Sequence, residues 1–362
     1  MQLVPDFGLR RIRQLLYKTG VKDASELFSL KMADLIRIDG FGEHVARNLL
    51  EFDGWKIVDK ILTATEKSGS QLVAIDDQEY PRLLRQIYDP PILLWLKGDK
   101  RVLNTDGIAI IGTRRPGNYG MKQTAEWAKL ISEAGICVNS GLAYGVDALA
   151  HRTAVNSGGK TIAVLGSGID VLYPARNSKI AIQIIETGGA VITEYPPGTP
   201  PDAINFPARN RIVSGMSHGT LVVESGIKGG SMITARYALD QNREVFVIPH
   251  QLDNTRGEGC NYLIRTGQGK LVQTLDDILD EVSVETNHDE IVTGQPLEKK
   301  WESLELSAEL KSICLILAEK ELHIDQLSEK TEKPTYRILP LLLDLEMQGA
   351  VRQKAGKYFE LI

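Results

Sequence analysis

The sequence lacks several features that would assign it to a familiar class. No apolar run approaches the roughly 20 residues needed to cross a bilayer, and the first residues do not place a basic stretch before an apolar one. There are only three cysteines, which are an odd number, lie far apart and form no C-x-x-C pair. We therefore expect a cytoplasmic protein without a membrane span, a disulfide framework or a bound metal.

Positive charge is also scarce, because 42 basic side chains face 47 acidic ones and the net charge is −5. Taken alone, this balance argues against a nucleic-acid-binding protein. The excess acid is local, since residues 284–305 carry 2 basic and 6 acidic side chains whereas residues 67–283 carry 22 of each. Any anion site must then be built locally from arginine, lysine and backbone N–H groups.

A chain of 362 residues has room for two or three domains. The polar, turn-rich segment 284–305 predicts an acidic linker, and a softer boundary falls near residue 66. Residues 306–362 predict three helices followed by a hairpin, which is the pattern of a winged helix-turn-helix.

Residues 1–66 are predicted to be all-helical, with related turns at 4–8 and 38–42 that are typical of a helix-hairpin-helix or SAM-like domain. The glycines of the second turn either approach a phosphate at a helix N-terminus or only pack two helices together. In the first turn Asp6 stands where a glycine is expected, which argues against phosphate contact there.

Residues 67–283 contain short apolar runs separated by stretches with helical spacing. Apolar runs without polar alternation are typical of strands covered on both faces, and their alternation with helices predicts a doubly wound α/β domain with a parallel sheet. The predicted strands lie at 108–111, 136–138, 161–165, 190–193, 221–223 and 245–248.

The loops after these runs are rich in glycine, small residues and arginine. Ligands of an open parallel sheet bind beyond the carboxyl ends of its strands, and a glycine loop that enters a helix offers free N–H groups to a phosphate. Five such loops predict a track for several successive phosphates rather than a site for one nucleotide. The candidate binding residues are Gly112, Thr113, Arg114, Arg115, Ser140, Gly141, Gly166, Ser167, Arg209, Asn210, Arg211 and Lys228. Candidates for stacking on bases are Tyr119, Tyr144 and Tyr173.

Simpler interpretations of single residues stay open. Arg114 or Arg115 alone is also typical of a surface salt bridge, and Asp147 or Asp170 of a helix-start stabiliser. His151 is more typical of a structural hydrogen-bonding residue than of a base.

The order of these motifs resembles the DprA/Smf DNA-processing proteins. The resemblance covers about residues 108–265 and rests on a combination of motifs that is highly specific. They include Gly-Thr-Arg at 112–114, Ser-Gly-Leu-Ala-Tyr-Gly-Val-Asp-Ala at 140–148, Phe-Pro-Ala-Arg-Asn-Arg-Ile at 206–212, Val-Val-Glu at 222–224 and Gly-Ser-Met-Ile-Thr-Ala at 230–235. The helical start and the winged helix match the family's three-part layout.

The resemblance implies an extended Rossmann-like domain that binds and protects incoming single-stranded DNA, forms a homodimer and helps to load the RecA recombinase during natural transformation, with no cofactor. By position, it assigns the DNA groove to Gly112, Thr113, Arg114, Ser140, Gly141, Arg209, Asn210 and Arg211. Relatives dimerise near the end of this domain, so we expect Leu263, Ile264 and Leu271 in a dimer contact unless they are ordinary core. Ala175 departs from relatives that have lysine there, and Arg176 or Lys179 could replace that contact.

Two other functions remain as alternatives. A Rossmann-like nucleotide-binding hydrolase, akin to phosphoribohydrolases, would use Glu224 as its catalytic carboxylate. The glycine stretch 228–235 lacks the acid that ends the signature of those enzymes, so we expect no enzymatic activity. A transcription factor acting through the winged helix is disfavoured, because that module has 8 basic and 9 acidic residues.

Overall fold

A computed structural model describes residues 3–19, 24–282, 284, 304, 306–318, 322–331, 333–348, 350–354 and 358–361. The chain divides into two compact units, residues 1–287 and 288–362. Apart from residues 284 and 304, the predicted linker 284–305 lies outside the described residues. No helix among those ranges is long and apolar enough to cross a membrane.

The first unit begins with a helical segment that contains the two related turns, 4–8 and 38–42. Its helices are α1 (Leu9–Thr19), a 3-10 helix (Ala24–Ser29), α2 (Met32–Leu35), α3 (Glu43–Leu50) and α4 (Trp55–Ser68). Asp6 in the first turn and Gly40 in the second both have positive φ, 61° and 80°, so an aspartate adopts the left-handed conformation that glycine takes in the other copy. The rings of Phe7 and Phe41 pack edge to face with centroids 5.6 Å apart. One apolar core contains residues of these helices and of the sheet that follows.

Within the described residues, the sheet of the first unit has nine strands in the order β1-β2-β6-β5-β4-β3-β7-β8-β9. The strands are β1 (Gln71–Ala74), β2 (Leu93–Gly98), β3 (Gly107–Ile111), β4 (Cys137–Ser140), β5 (Thr161–Val164), β6 (Ala190–Thr193), β7 (Gly219–Val222), β8 (Glu244–Val247) and β9 (Lys270–Leu271). Strands β3 to β9 are parallel, whereas β1 and β2 add an antiparallel pair beside β6. The six predicted strands and the parallel sheet are confirmed.

Helices cover both faces of this sheet. They are α5 (Asn118–Glu133), α6 (Val146–Asn156), α7 (Ser178–Glu186), α8 (Asn205–Gly215), α9 (Gly230–Asp240), α10 (Glu258–Arg265) and α11 (Asp276–Leu279), with 3-10 helices at Leu84–Gln86, Lys100–Asn104 and Ala175–Asn177. Strand β3 is buried on both sides, because Ala109 and Ile111 join one apolar core and Ile108 and Ile110 join another. The chain leaves β3 towards β4 and later returns to β7 on its other side, so the ligand crevice of this topology falls at the carboxyl ends of β3 and β7.

The second unit is a winged helix, as predicted. It contains α12 (Ala308–Leu317), β10 (Leu322–His323), α13 (Ile324–Thr331), α14 (Thr335–Met347), β11 (Val351–Lys354) and β12 (Tyr358–Leu361), and the three strands pair in the order β10-β12-β11. Cys314, Leu327, Ile338, Leu345 and Phe359 are among the residues of its own apolar core.

Candidate functional site

An open cavity of about 750 Å³ lies where the topology predicts a ligand crevice. Its volume is within the range of roughly 300–1,000 Å³ that is usual for ligand pockets. Of the residues proposed from the sequence, Gly112, Thr113, Arg114, Gly141, Arg209 and Asn210 line it. They come from the loops after β3 and β4 and from α8, so the fold brings together residues far apart in the sequence.

Arg114 presents its charge at this cavity. Its side chain is exposed, and its Cζ lies 5.8 Å from the ring centroid of Phe206, in a cation–π contact. The Phe206 ring packs on Tyr173 with centroids 5.4 Å apart. A guanidinium next to two aromatic rings offers a phosphate fork and stacking surfaces for bases in one place. Tyr173 is among the stacking candidates from the sequence, whereas Phe206 is not, although it begins the motif at 206–212.

Arg209 also lines this cavity, but its guanidinium is bonded to backbone carbonyl groups of the protein interior. It is only 4% exposed, and its Nη1 donates hydrogen bonds to the carbonyl oxygens of Gly141, at 2.6 Å, and of Val164. The nearby Asp147 carboxylate accepts hydrogen bonds from the backbone N–H groups of Gly141, at 3.1 Å, and Ala143, at 3.3 Å. Burial lowers the pKa of Arg209 to about 10 and raises the pKa of Asp147, while the opposite charges partly offset both shifts. The guanidinium therefore connects the start of the loop after β4 to the carboxyl end of β5, at the edge of the cavity.

Arg211 points away from the cavity into an internal ion pair. Its two terminal nitrogens donate to the two carboxylate oxygens of Glu194 at 2.6 Å each, and its Nε donates to Asp89 at 2.9 Å. Burial alone would lower the pKa of Arg211, but the two carboxylates raise it overall. The structure thus gives Arg211 a bracing role and does not present it to a ligand.

The other candidates separate into buried and outlying residues. The Ser140 hydroxyl donates to the Ile110 carbonyl at 2.7 Å, and the Ser167 hydroxyl donates to the Val171 carbonyl at 2.6 Å, so both are buried structural groups. Gly166 is buried under Phe206, whose ring would lie 2.9 Å from a Cβ at that position. Arg115 and Lys228 are exposed but do not line the cavity.

Glu224 is a buried carboxylate at the amino end of α5. Both of its oxygens accept the N–H of Gly117 at 3.1 Å, and a Cβ at Gly120 would overlap the carboxylate. In a Rossmann-like fold the helix after the first strand ordinarily receives a nucleotide phosphate at this end. Here the chain's own carboxylate bonds the N–H of Gly117 at that end. Glu224 is not among the residues that line the cavity, where a hydrolase would need its catalytic carboxylate.

His151 is a structural residue in the core beneath the site. Its ring is fully buried, and Nδ1 lies 2.7 Å from the Thr161 hydroxyl. Burial lowers the pKa of His151 to about 3, so the ring is neutral near pH 7. Among the residues that the structure describes, no group of three or more His, Cys, Asp and Glu side chains could hold a metal ion.

The residues proposed for a dimer contact differ in their accessibility. Leu263 is 2% exposed and packs in the core of its own chain, and Ile264 is partly buried against the same core. Leu271 is 39% exposed. The structure therefore favours ordinary core for Leu263 and leaves Leu271 as the accessible member of the three.

Comparison with known proteins matches both units of the fold. The sequence model of the family DNA recombination-mediator protein A matches residues 71–283, and that of the DprA winged helix domain matches residues 299–357. Protein Smf of Escherichia coli is 32% identical over 84% of this chain and 81% of its own length.

Two solved structures are similar to the chain at more than 30% identity. The X-ray structure of DNA processing protein A from Streptococcus pneumoniae has a TM-score of 0.64 and 34% identity, and the match covers 75% of this chain and 92% of that one. A structure of DNA processing protein A from Helicobacter pylori, which concerns the single-stranded DNA binding mode of that protein, has a TM-score of 0.53 and 32% identity and covers 59% and 96% of the two chains. The motifs, the fold and these matches agree, and the chain belongs to the DNA recombination-mediator protein A family, the DprA/Smf DNA-processing proteins.

Proposed function

We propose that this recombination mediator binds single-stranded DNA along the crevice at the carboxyl ends of β3, β4 and β7. The observation that carries the proposal is the exposed Arg114 guanidinium on the Phe206 ring, at the mouth of an open 750 Å³ cavity. Unpaired bases can stack on aromatic faces, which duplex DNA does not expose. The relative from Helicobacter pylori, whose structure concerns its single-stranded DNA binding mode, supports the same ligand class.

The crevice suits a strand better than a free nucleotide. Glu224 already bonds the N–H of Gly117, one of the donors at the end of α5 where a nucleotide phosphate would bind. The remaining backbone N–H donors are spread over three glycine loops, 112–117, 141–145 and 226–230. Residues of all three loops line the cavity. Spaced donors without a dominant phosphate cradle favour a chain of phosphates over a single one.

The family supports two further parts of the proposal. A recombination mediator acts by delivering a strand to a recombinase, so we assign this chain the loading of RecA and the protection of incoming single strands during natural transformation. We also propose a homodimer, whose contact near the end of the first unit includes the exposed Leu271.

Fluorescence anisotropy with single- and double-stranded oligonucleotides of one sequence tests the ligand class. We expect the single strand to bind more tightly, and Arg114→Ala to weaken it by about 1–3 kcal/mol, the range for a charged hydrogen bond. The matched control is Arg101→Ala, because Arg101 is exposed and lies just before β3, at the other end of that strand from the crevice. Unchanged affinity in Arg114→Ala, or equal losses in both variants, would remove the crevice from the proposal.

Salt dependence tests whether several phosphates are bound. If about three to five phosphates are neutralised, log affinity against log salt should fall with a slope of about −2 to −4. A slope near zero, or hydrolysis of free nucleotides in a parallel assay, would favour a mononucleotide pocket instead.

RecA loading is measured by the single-strand-dependent ATP hydrolysis of RecA on DNA already covered by a single-strand-binding protein. The wild-type chain should shorten the lag before hydrolysis, and Arg114→Ala should not. If both proteins leave the lag unchanged while the wild type still binds DNA, the mediator role would need another recombinase.

A further inference from the structure

The wall of the crevice cavity includes the amide side chain of Asn210, and the preceding residue fixes the orientation of that amide. Asn210 Oδ1 accepts a hydrogen bond from Arg209 Nε at 3.3 Å. Because an arginine side chain has only donors, the oxygen and not the nitrogen of the amide must face it. Among the described residues, no group accepts a hydrogen bond from Asn210 Nδ2, so this nitrogen is a donor available to a ligand.

Two other side chains of the cavity have the same polarity. The Thr113 hydroxyl oxygen accepts the backbone N–H of Arg115 at 3.2 Å, so its proton is available to an acceptor. The Arg114 guanidinium has donors alone. The cavity therefore presents donors from two different elements, the loop after β3 and helix α8.

Three acceptors of the same cavity are already used within the protein. The Gly141 carbonyl accepts the Arg209 guanidinium at 2.6 Å, and the Gly226 carbonyl accepts the Ser225 hydroxyl at 3.0 Å. Asp147 is 8% exposed, and its Oδ2 accepts two backbone N–H groups. A ligand that brings acceptors is therefore better matched to the cavity than one that brings donors.

The position of Asn210 favours the edge of a base over a phosphate. Asn210 follows Phe206 by four residues on α8, so the two side chains lie on the same face, one turn apart. A base that stacks on the aromatic pair of Phe206 and Tyr173 brings its edge towards this amide. Arg114 is exposed whereas Asn210 is half-buried, and a charged phosphate is desolvated less at the exposed guanidinium.

We propose that the cavity selects a base with a keto oxygen, thymine or guanine, and that the Asn210 amide is the group that selects it. The keto oxygen of either base accepts a hydrogen bond from Nδ2, whereas cytosine and adenine present an amino group at the corresponding position. An amino group opposite Nδ2 places two donors together and leaves both without an acceptor. The inference rests on the proposed function, the binding of a single strand in this crevice.

Fluorescence anisotropy with homopolymers of equal length near pH 7 tests the selection. The wild type should bind oligo(dT) about 2- to 10-fold more tightly than oligo(dC), which is the range for one hydrogen bond. Both are pyrimidine strands, and they differ in the keto or amino group and in the methyl group of thymine. Oligo(dU), which has the keto oxygen without the methyl group, should bind like oligo(dT). If it bound like oligo(dC), the methyl group would account for the preference and the proposal would be overturned.

Two variants test the role of the amide. Asn210→Asp keeps the shape of the side chain and replaces the donor by an acceptor oxygen. Its negative charge should weaken the binding of both strands, but the ratio of the two affinities should reverse, so that oligo(dC) binds more tightly. Asn210→Leu removes the donor without adding charge and should bring the ratio close to one. Circular dichroism checks that the variants fold, and Asn210→Leu provides the comparison if Asn210→Asp does not.

The matched control is Asn156→Asp, which adds the same charge elsewhere. Asn156 is exposed at the last residue of α6, about 15 Å along that helix from Val146 at its crevice end. This variant should leave the ratio of the two affinities unchanged. If Asn210→Asp and Asn210→Leu weakened both strands equally and also left the ratio unchanged, Asn210 would contact a phosphate and base selection by its amide would be refuted.

The wild-type chain separates this selection from the proposed function. Equal binding of single- and double-stranded oligonucleotides would remove single-strand binding in the crevice, and the base selection with it. Preference for single strands with equal affinity for oligo(dT) and oligo(dC) would contradict the base selection alone.

Discussion

Acidic side chains are withdrawn from the solvent at the crevice of the first unit, whereas on α14 of the second unit they are exposed. At the crevice, Glu224 and Asp147 accept hydrogen bonds from backbone N–H groups, and Glu194 is bound by Arg211. On α14, Asp344 and Glu346 have exposed side chains. The comparison shows how a chain with more acid than base can present a positive site, because the acids near that site are bound internally and Arg114 faces outwards.

We expect the largest effect on stability from breaking an internal ion pair near the crevice. Arg211→Ala leaves the Glu194 carboxylate without its partner, and removal of one member of a buried pair costs about 3 kcal/mol or more of unfolding free energy. Chemical denaturation measures the loss. Arg101→Ala, which breaks an exposed pair with Asp99, should cost about 1 kcal/mol or less.

The opposite result would reverse the comparison. If Arg211→Ala kept its stability and instead lost single-strand affinity, Arg211 would bind the ligand. Arg114 would then not be the only one of these arginines that contacts DNA.

Aromatic residues of the two surfaces provide the second test. Phe206→Leu keeps an apolar side chain but removes the ring under Arg114, and one lost base stack should weaken single-strand binding by about 1–3 kcal/mol. Tyr336→Leu, on α14, should leave the affinity unchanged in anisotropy measurements at low protein concentration. Equal losses in the two variants would mean that both surfaces bind the strand.

Acid should destabilise the first unit through His151. Its pKa is about 3 in the folded chain against an ordinary value of 6.5, so between these values the unfolded chain binds more protons. The contribution is intact above pH 6.5 and is lost as the pH falls towards 3, by about 2 kcal/mol at pH 5. Unfolding curves of the wild type and His151→Gln measure this: the pH dependence should be shallower in the variant, and parallel curves from pH 7 to pH 4 would contradict it.

Removal of the winged helix should have the smallest effect on binding. A chain that ends at residue 287 keeps the whole compact first unit and should bind single strands within about tenfold of the full chain, or about 1.4 kcal/mol. The measurement is made below the concentration at which chains associate. If a folded truncated chain lost binding altogether, the principal DNA site would lie in the second unit.

The sequence predicts the parallel sheet well and the site only in part, for physical reasons. Runs such as 108–111 are apolar because both faces of β3 are covered, and this leaves a signal in the sequence. Strand β1 has no such signal, since Gln71 and Leu72 are exposed at the sheet edge. Periodicity cannot reveal that Arg211 is bound by Asp89 and Glu194, because neither carboxylate is near it in the sequence.

The same limit explains why Phe206 is missing from the stacking candidates and Tyr119 is among them. Both are aromatic residues in motifs that follow strands, and only the fold shows that the Tyr119 ring packs on His250 while the Phe206 ring lies under Arg114. Residue type and loop position indicate which side chains have a given chemistry. The direction in which each one points depends on neighbours from other strands.

The Glu224 cap also bears on how the protein responds to the composition of the cell. Free nucleotides are abundant there, and a vacant helix N-terminus in a Rossmann-like crevice would be filled by whichever of them was most concentrated. A carboxylate that belongs to the chain has a local concentration that no diffusing anion matches, and it cannot dissociate. If the crevice binds a strand as proposed, free nucleotides then compete less for that end of α5, and occupancy of the crevice depends on the supply of single strands.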